Sequence, residues 1–262
     1  MDTVTDPMPW VRAVRASHDR LAGIVASLDS AELREQSYAK EWSVADVLSH
    51  LGSGAEIFEL YVNAGLGGEL PGQEDNQRIW DTWNARSPEE QAAQSVAANE
   101  ALVSRFESLT PEQLDSLRVT MFGGMVMDAA GLLRMRLSEH AVHSWDVAVA
   151  VDPAARVSQD AVDLLIGGLP QMMRWMAKKA ADPKVIAIAT TNPEGAYTLD
   201  TGGVTLTPGS SGDVPASAFL ELPAEALLRL VYGRLDESAV ASGEVRLSGV
   251  TLPELQAVFP GF

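Results

Sequence analysis

Residues 134–150 read RMRLSEHAVHSWDVAVA, within a helix expected over Ala129–Val151 and ended by Asp152-Pro153. Glu139 and His143 are four apart, so they lie one above the other, roughly 40° apart in projection. Asp146, three beyond His143, shares that side. An i, i+4 pair of this kind can place a carboxylate oxygen and an imidazole nitrogen on one metal ion. A third ligand must then come from a second helix. His50 qualifies, in the middle of EWSVADVLSHLGSGAEIFELYVNAG (41–65). Three ligands from two helices leave an open coordination position, the arrangement of a catalytic Zn rather than a structural one. Two histidines and a carboxylate also suit non-haem Fe(II). Spacing alone leaves the blander readings open: a core histidine at 50, and a surface hydrogen bond between Glu139 and His143.

Working outward, the first two-thirds of the chain reads helical. WVRAVRASHDRLAGIVASL (10–28) carries Val11, Val14, Leu21, Ile24, Val25 and Leu28 at helical spacing. In 41–65, Ser43 is the expected N-cap with Asp46 in capping-box position. Gly65 to Gly72 is a turn. Ser87-Pro88-Glu89-Glu90 starts a helix that runs to about Leu109, with a cap, a first-turn proline and acids on the positive end. Thr110-Pro111-Glu112 begins a short further turn, and Gly123-Gly124 in MFGGMVMD (121–128) marks a loop or hairpin. A fifth helix is expected over 158–179, with Pro170 as a possible kink.

After Asp182-Pro183 the pattern changes. KVIAIATT (184–191), AYTLD (196–200), GVTLTPG (203–209), ASAFLEL (216–222) and EVRLSG (244–249) read as short strands. Helices are expected over 223–232 and 252–259. The expected boundary therefore divides 1–182, a helix bundle, from 183–262, a small α/β unit. The fold class is α+β.

The chain has 262 residues, 46% hydrophobic, ample for a buried core. Its formal net charge of −17 disfavours nucleic acid and anionic membrane surfaces as partners. With no cysteine, disulfides, Cys-ligated metals and a Cys nucleophile are excluded together. The start MDTVTDPMPWVRAV shows no signal-peptide pattern, and no segment approaches the roughly 20 apolar residues of a membrane span. The expectation is a cytoplasmic protein. His18 and His140 are not expected to bind metal: His140 points about 100° away from Glu139, and His18 sits in a polar stretch. Trp42 and Trp145 are expected in the core. No phosphate loop or nucleophile elbow is present.

The order WSVADVLSHLGSGAEIF (42–58), RMRLSEHAVHSWDVAVA (134–150), then LVYGRL (230–235) and LPELQAVFPGF (252–262) resembles the mycothiol-dependent maleylpyruvate isomerase family. The likeness runs over nearly the whole chain. It implies a DinB-like, up-and-down metal-binding helix bundle followed by a small sterol-carrier-like α/β domain. It places the metal ligands on His50, Glu139 and His143, and a supporting acid on Asp146. It places a catalytic arginine on Arg234, with Arg246 as the second candidate. Arg136, one turn before Glu139, is expected to form a salt bridge within the bundle. The segment LGGELPGQEDNQRIWDTWNARS (66–87) is longer than a minimal bundle needs. It reads either as a loop walling a pocket or as a helix packed by Trp80 and Trp83.

The resemblance further implies a divalent metal, Zn first and Fe or Ni as alternatives, and mycothiol as cosubstrate. A free thiol has a pKa near ~8.5, and coordination to Zn²⁺ favours its thiolate. The thiolate would add to an electrophilic carbon: released again in a cis–trans isomerase, kept in an S-transferase. Arg234 would hold a substrate carboxylate from the second domain, at a site between the domains. A non-catalytic ligand-binding protein is the rival of a different class. The expected partners are small molecules, with the chain a monomer or homodimer.

Overall fold

The structure is a computed structural model that describes residues 6–121, 124–209 and 215–261. By its internal contacts the chain divides into two units, residues 1–156 and 157–262.

The first unit contains α1 (Met8–Val25), α2 (Val44–Gly65), α3 (Gln73–Asn84), α4 (Pro88–Ser108), α5 (Pro111–Ser116), a two-stranded hairpin of β1 (Arg118–Thr120) and β2 (Val126–Asp128), and α6 (Ala129–Val151). The helix starts follow local chemistry. Ser43 Oγ accepts the Asp46 amide at 3.2 Å, and Asp46 Oδ2 accepts the Ser43 amide at 2.9 Å, closing the capping box that opens α2. Ser87 and Glu90 do the same for α4, with Pro88 in its first turn. Asp128 caps α6 by accepting the Gly131 amide at 2.8 Å.

α1 and α2 each pack on both α4 and α6, so the four long helices form a ring in which α1 and α2 are diagonal. Leu21, Leu48, Leu51, Leu102, Leu132, Leu133 and Leu137 fill its centre with next to no exposure. Burial of each such side chain contributes about 1.5–3 kcal/mol. The hairpin falls where the double glycine was expected. Gly124 takes φ 80°, while Gly123 lies outside the described residues. The 66–87 segment is a helix, and its docking has one cause. Gly52 on α2 has no side chain, and a Cβ there would collide with the Trp83 ring. Trp83 is accordingly 1% exposed.

The second unit opens with α7 (Gln159–Leu165) and α8 (Leu169–Met176), joined by a 3-10 turn at Ile166–Gly168. The continuous helix expected over 158–179 is therefore two helices. Gly167 and Gly168 interrupt it, and Pro170 sits in the first turn of α8, where its missing N–H costs nothing. A five-stranded sheet follows, built from β3 (Val185–Thr191), β4 (Gly195–Asp200), β5 (Thr205–Pro208), β6 (Ala218–Pro223) and β7 (Arg246–Ser248) in the order β5-β4-β3-β6-β7. Only β3 and β6 run parallel. Ile186, Ile188, Leu199, Leu206, Leu220 and Leu222 alternate onto one buried face. α9 (Ala224–Val231) packs on β3 and β6 and also on α7 and α8, while α8 reaches β5. α10 (Glu237–Ala241) and α11 (Leu252–Val258) complete the unit.

The division at 156–157 precedes the 182–183 boundary expected from composition. α7 and α8 look like bundle helices in sequence, yet their apolar faces pack on α9 and β5. The YGR and PGF stretches also explain each other. Gly233 takes φ 72°, and a Cβ there would strike the Gly261 backbone, so the two glycines let the turn and the C-terminal segment touch. Among the described residues, no helix is long and apolar enough to cross a membrane.

Candidate metal centre

Three side chains from the middle of two bundle helices converge. His50 comes from α2, and Glu139 and His143 come from α6. His50 Nε2 lies 3.2 Å from Glu139 Oε2, and His143 Nε2 lies 3.7 Å from the same oxygen. One ligand atom from each residue lies within 4.8 Å of the others. Ligands about 2.0–2.1 Å from a tetrahedral ion stand about 3.4 Å apart, so these separations fit a shared ion. The blander reading of these residues, a core histidine and a lone surface pair, does not describe the cluster. His50 and Glu139 are each about one-third exposed, at 36% and 34% of their side chains.

The surroundings hold each group in place. Asp146 is fully buried, and its Oδ2 lies 2.9 Å from His143 Nδ1. A carboxylate accepts, so Nδ1 carries the proton and Nε2 is left as a lone-pair donor toward Glu139. Burial by itself would raise the Glu139 carboxyl. The hydrogen bond from His50, the electrostatic pull of the neighbouring imidazoles and the charge of Arg136 outweigh it and hold the group at about 2. Glu139 is thus an anion at neutral pH, as a metal ligand must be.

Arg136 sits one turn below and is 2% exposed. It donates to the Leu51 carbonyl at 3.0 Å and to the Asn99 side-chain oxygen. Its guanidinium lies 5.4 Å from the Phe58 ring centroid. The expected salt bridge is therefore replaced by bonds to a carbonyl and an amide. Its charge still acts on Glu139 through space, while burial draws the guanidinium down to about 10.

Trp42 corrects another expectation. It is 37% exposed rather than core, and its ring stands 5.2 Å from His50 and 6.0 Å from His143, stacked on the latter at 26°. Glu41 just before it takes φ 68°, an uncommon backbone state outside glycine that turns the chain into Trp42. Trp145 is core as expected, with Nε1 donating to the Ala155 carbonyl at 3.0 Å. A cavity of about 480 Å³ opens beside His50, lined by Glu41, Trp42, Asp46, Ser53, Trp80 and Asn84 as well. The segment is thus a helix rather than a loop, and its two tryptophans divide the roles weighed for it. Trp83 packs, and Trp80 lines the cavity.

His18 and His140 belong to a different place. Both are buried. His18 Nε2 lies 3.0 Å from Glu100, and His140 Nδ1 lies 2.9 Å from Ser17 Oγ. His18, Asp19 and Glu100 also bring ligand atoms within 4.8 Å of one another. There, however, Arg15 already stands on Glu100 at 2.5 Å, on Glu107 at 2.8 Å and on Asp19 at 3.5 Å. That cluster carries its own cation, whereas His50, Glu139 and His143 have none among them. In the second unit, Arg234 is 4% exposed and donates Nη1 to the Tyr232 carbonyl at 2.6 Å. Arg246 is largely exposed, 3.5 Å from Glu221.

The sequence model of the family described as mycothiol maleylpyruvate isomerase N-terminal domain matches residues 14–148, just over half the chain. The chain belongs to this family. The match spans all three converging side chains and Asp146. Among solved structures, the chain is similar to the mycothiol-dependent maleylpyruvate isomerase, at TM-score 0.69 and 16% identity. That likeness covers 95% of this chain and 96% of the other. A histidine-to-alanine mutant of that enzyme matches at TM-score 0.68, with the same identity and coverage. YfiT from Bacillus subtilis, with an unusual four-helix bundle topology, matches at TM-score 0.44 and 13% identity over 57% of this chain and 89% of its own. No curated protein matches the chain in sequence. The α+β architecture, a helical part followed by a sheet-containing part, is the fold shared with this solved isomerase.

Proposed function

We propose that this protein is a metal-dependent enzyme that activates mycothiol for addition to an electrophilic carbon, as in cis–trans isomerisation of a maleylpyruvate-like acid. The observation that carries the reading is the convergence of His50, Glu139 and His143 beside an accessible cavity, in a chain of this family. A divalent ion bound there, Zn first and Fe or Ni as alternatives, would favour the thiolate form of a coordinating thiol at neutral pH.

The chain's own residues supply the rest. His50, Glu139 and His143 would hold the ion with three ligands, leaving room for the thiol sulfur. Asp146 keeps His143 in the required tautomer and orientation. Trp42 covers the imidazoles on one side and limits water there. Arg234 is proposed, from the family resemblance, as the cation that holds a substrate carboxylate. The bond changes balance. The thiolate sulfur forms a C–S bond at one carbon of the cis double bond, and the electron pair is delocalised into the adjacent carbonyl. Rotation follows about the new single bond. The enolate then collapses, the C–S bond breaks, and the trans double bond and the thiolate are regenerated.

The test incubates the Zn-loaded protein with mycothiol and maleylpyruvate and follows the products by NMR. Trans product with thiol unconsumed supports the isomerase. A stable thioether with stoichiometric loss of thiol would move the protein to the S-transferases. No reaction with either this acid or a panel of neutral electrophiles would contradict the proposal.

A further inference from the structure

We infer that the basic, indole-bearing end of α8 on one copy of this chain docks on the acidic turn before α3 of a second copy. Neither surface includes a residue of the metal centre or of the cavity beside it.

Trp175 is the most exposed large apolar side chain among the described residues, at 73%. Met173 and Met176 beside it are buried, so α8 fills the core without the indole. Leaving an indole in water forgoes burial energy unless another surface covers it. Arg174 precedes it and Lys178 and Lys179 follow, all three exposed. Three of the chain's four lysines fall within 178–184, which concentrates positive charge here. Lys184 is spent on Glu254 at 2.5 Å. Among the described residues, Arg174, Lys178 and Lys179 make no ion pair and no side-chain hydrogen bond. Carboxylates are abundant in a chain of formal net charge −17, and Arg15, Arg34 and Arg246 each hold one. Three neighbouring cations without one repel each other, and an external anion would relieve that.

A matching surface lies on the same chain. Gly67 takes φ 102° and turns the backbone out of α2. Leu70 follows at 59% exposure, between exposed Glu69 and exposed Glu74. Among the described residues, neither carboxylate has an ion pair or a side-chain hydrogen bond. The backbone on both surfaces is held. The Gly68 N–H donates to the Asn63 carbonyl at 2.9 Å and the Gly72 N–H to Asp75 Oδ2 at 2.8 Å, on either side of Leu70. On the basic surface, the Lys178 N–H donates to the Val258 carbonyl at 2.7 Å and the Ala180 N–H to the Thr201 carbonyl at 3.0 Å. Preformed surfaces lose little freedom on association.

The two surfaces are complementary in kind. An indole against a leucine at the centre, with cations against carboxylates at the rim, is how protein interfaces are laid out. A nucleic acid or an anionic membrane would extend past the basic patch over the acidic remainder of the chain, whereas a second copy offers it a short acidic turn. Two copies of this charge repel at a distance. Physiological salt screens that repulsion beyond about 8 Å, and the contacting groups lie inside that range. Each copy carries both halves, so the contact can close as a twofold pair or repeat head to tail. Few residues take part, so a dissociation constant of about 10–100 µM is expected.

The experiment is sedimentation velocity on the full chain in about 0.15 M salt, over about 1–500 µM protein. The wild type should self-associate, and Trp175→Ala should weaken the association at least about tenfold. Lys178→Glu with Lys179→Glu should be monomeric, and so should Glu69→Lys with Glu74→Lys. An equimolar mixture of these two double variants should associate again, because the charges now match across copies. Unchanged circular dichroism and thermal midpoints show that the variants are folded. A wild type that stays monomeric throughout, association that is equal in all variants, or a mixture that stays monomeric would overturn the contact. A monomeric wild type that binds a single-stranded oligonucleotide or anionic vesicles, and loses this in Lys178→Glu with Lys179→Glu, would overturn it in favour of a polyanion site.

Discussion

Asp146 Oδ2 stands 2.9 Å from Nδ1 of His143, and this contact determines which imidazole nitrogen faces Glu139. The carboxylate is completely buried, so solvent cannot take over its role. Asp146→Asn keeps the shape but can present an N–H to Nδ1 and favour the wrong tautomer. The expected result is a loss of about 10–100-fold in metal affinity, measured by competition with a chromophoric chelator. Unchanged affinity would show that the pair is only structural.

Gly52 and Trp83 give a prediction about stability. Gly52→Ala forces its methyl into the indole, and overpacking of this kind costs about 1–3 kcal/mol. α3 should loosen, so tryptophan emission should shift to the red and the thermal midpoint should fall. A wild-type melting curve for Gly52→Ala would mean that α3 does not dock through Trp83.

Arg136→Met removes a buried cation and leaves the Asn99 side-chain oxygen without its donor, while the Leu51 carbonyl keeps its partner within the α2 ladder. Each unsatisfied buried acceptor costs about 1–3 kcal/mol. The unfolding free energy in urea should fall accordingly. The Glu139 carboxyl should also rise, because one of the charges holding it down is gone. Metal-free Arg136→Met should then show a higher carboxyl titration point for Glu139 by NMR.

The buried histidines on the far side of α6 predict an acid dependence. Burial lowers His18 below its ordinary 6.5, and burial with the charge of Arg136 lowers His140 further. The unfolded chain binds these protons more readily than the folded one. Stability is therefore full above about pH 6.5 and declines as pH falls below it. A second decline follows from Glu100, which its hydrogen bond from Arg15 holds at about 2, below the ordinary 4.5. That contribution is complete above 4.5 and is lost as pH falls toward 2. Urea midpoints at pH 7.5, 6.5 and 5.5 should decrease over the last step, and less so in His140→Gln. Identical midpoints at all three would contradict this.

Much of the site was legible because helical spacing is rigid. Glu139, His143 and Asp146 share one side of α6 by arithmetic alone, and Ser43 with Asp46 announces the start of α2. The pairing of His50 with α6 needed the packing of two helices, which spacing cannot supply. The resemblance supplied the expectation, and the structure brings the atoms within reach. Other readings failed for tertiary reasons. α7 and α8 have bundle-like apolar patterns, but nothing local says that they pack on α9. Trp42 looked like core because large aromatics usually are, and only the positive φ of Glu41 and the two imidazoles explain its exposed position. The double duty of α3 rests on Gly52, a glycine whose sequence context gives no hint of the indole against it.

The account stands most directly on the metal. Elemental analysis of wild type, His50→Ala and His143→Ala, each purified without added metal and then after reconstitution with Zn, tests it. The account predicts about one equivalent in the wild type and loss of stoichiometric metal in both variants, with the helical circular dichroism retained. A wild type that binds no metal even after reconstitution, or variants that keep a full equivalent, would contradict it.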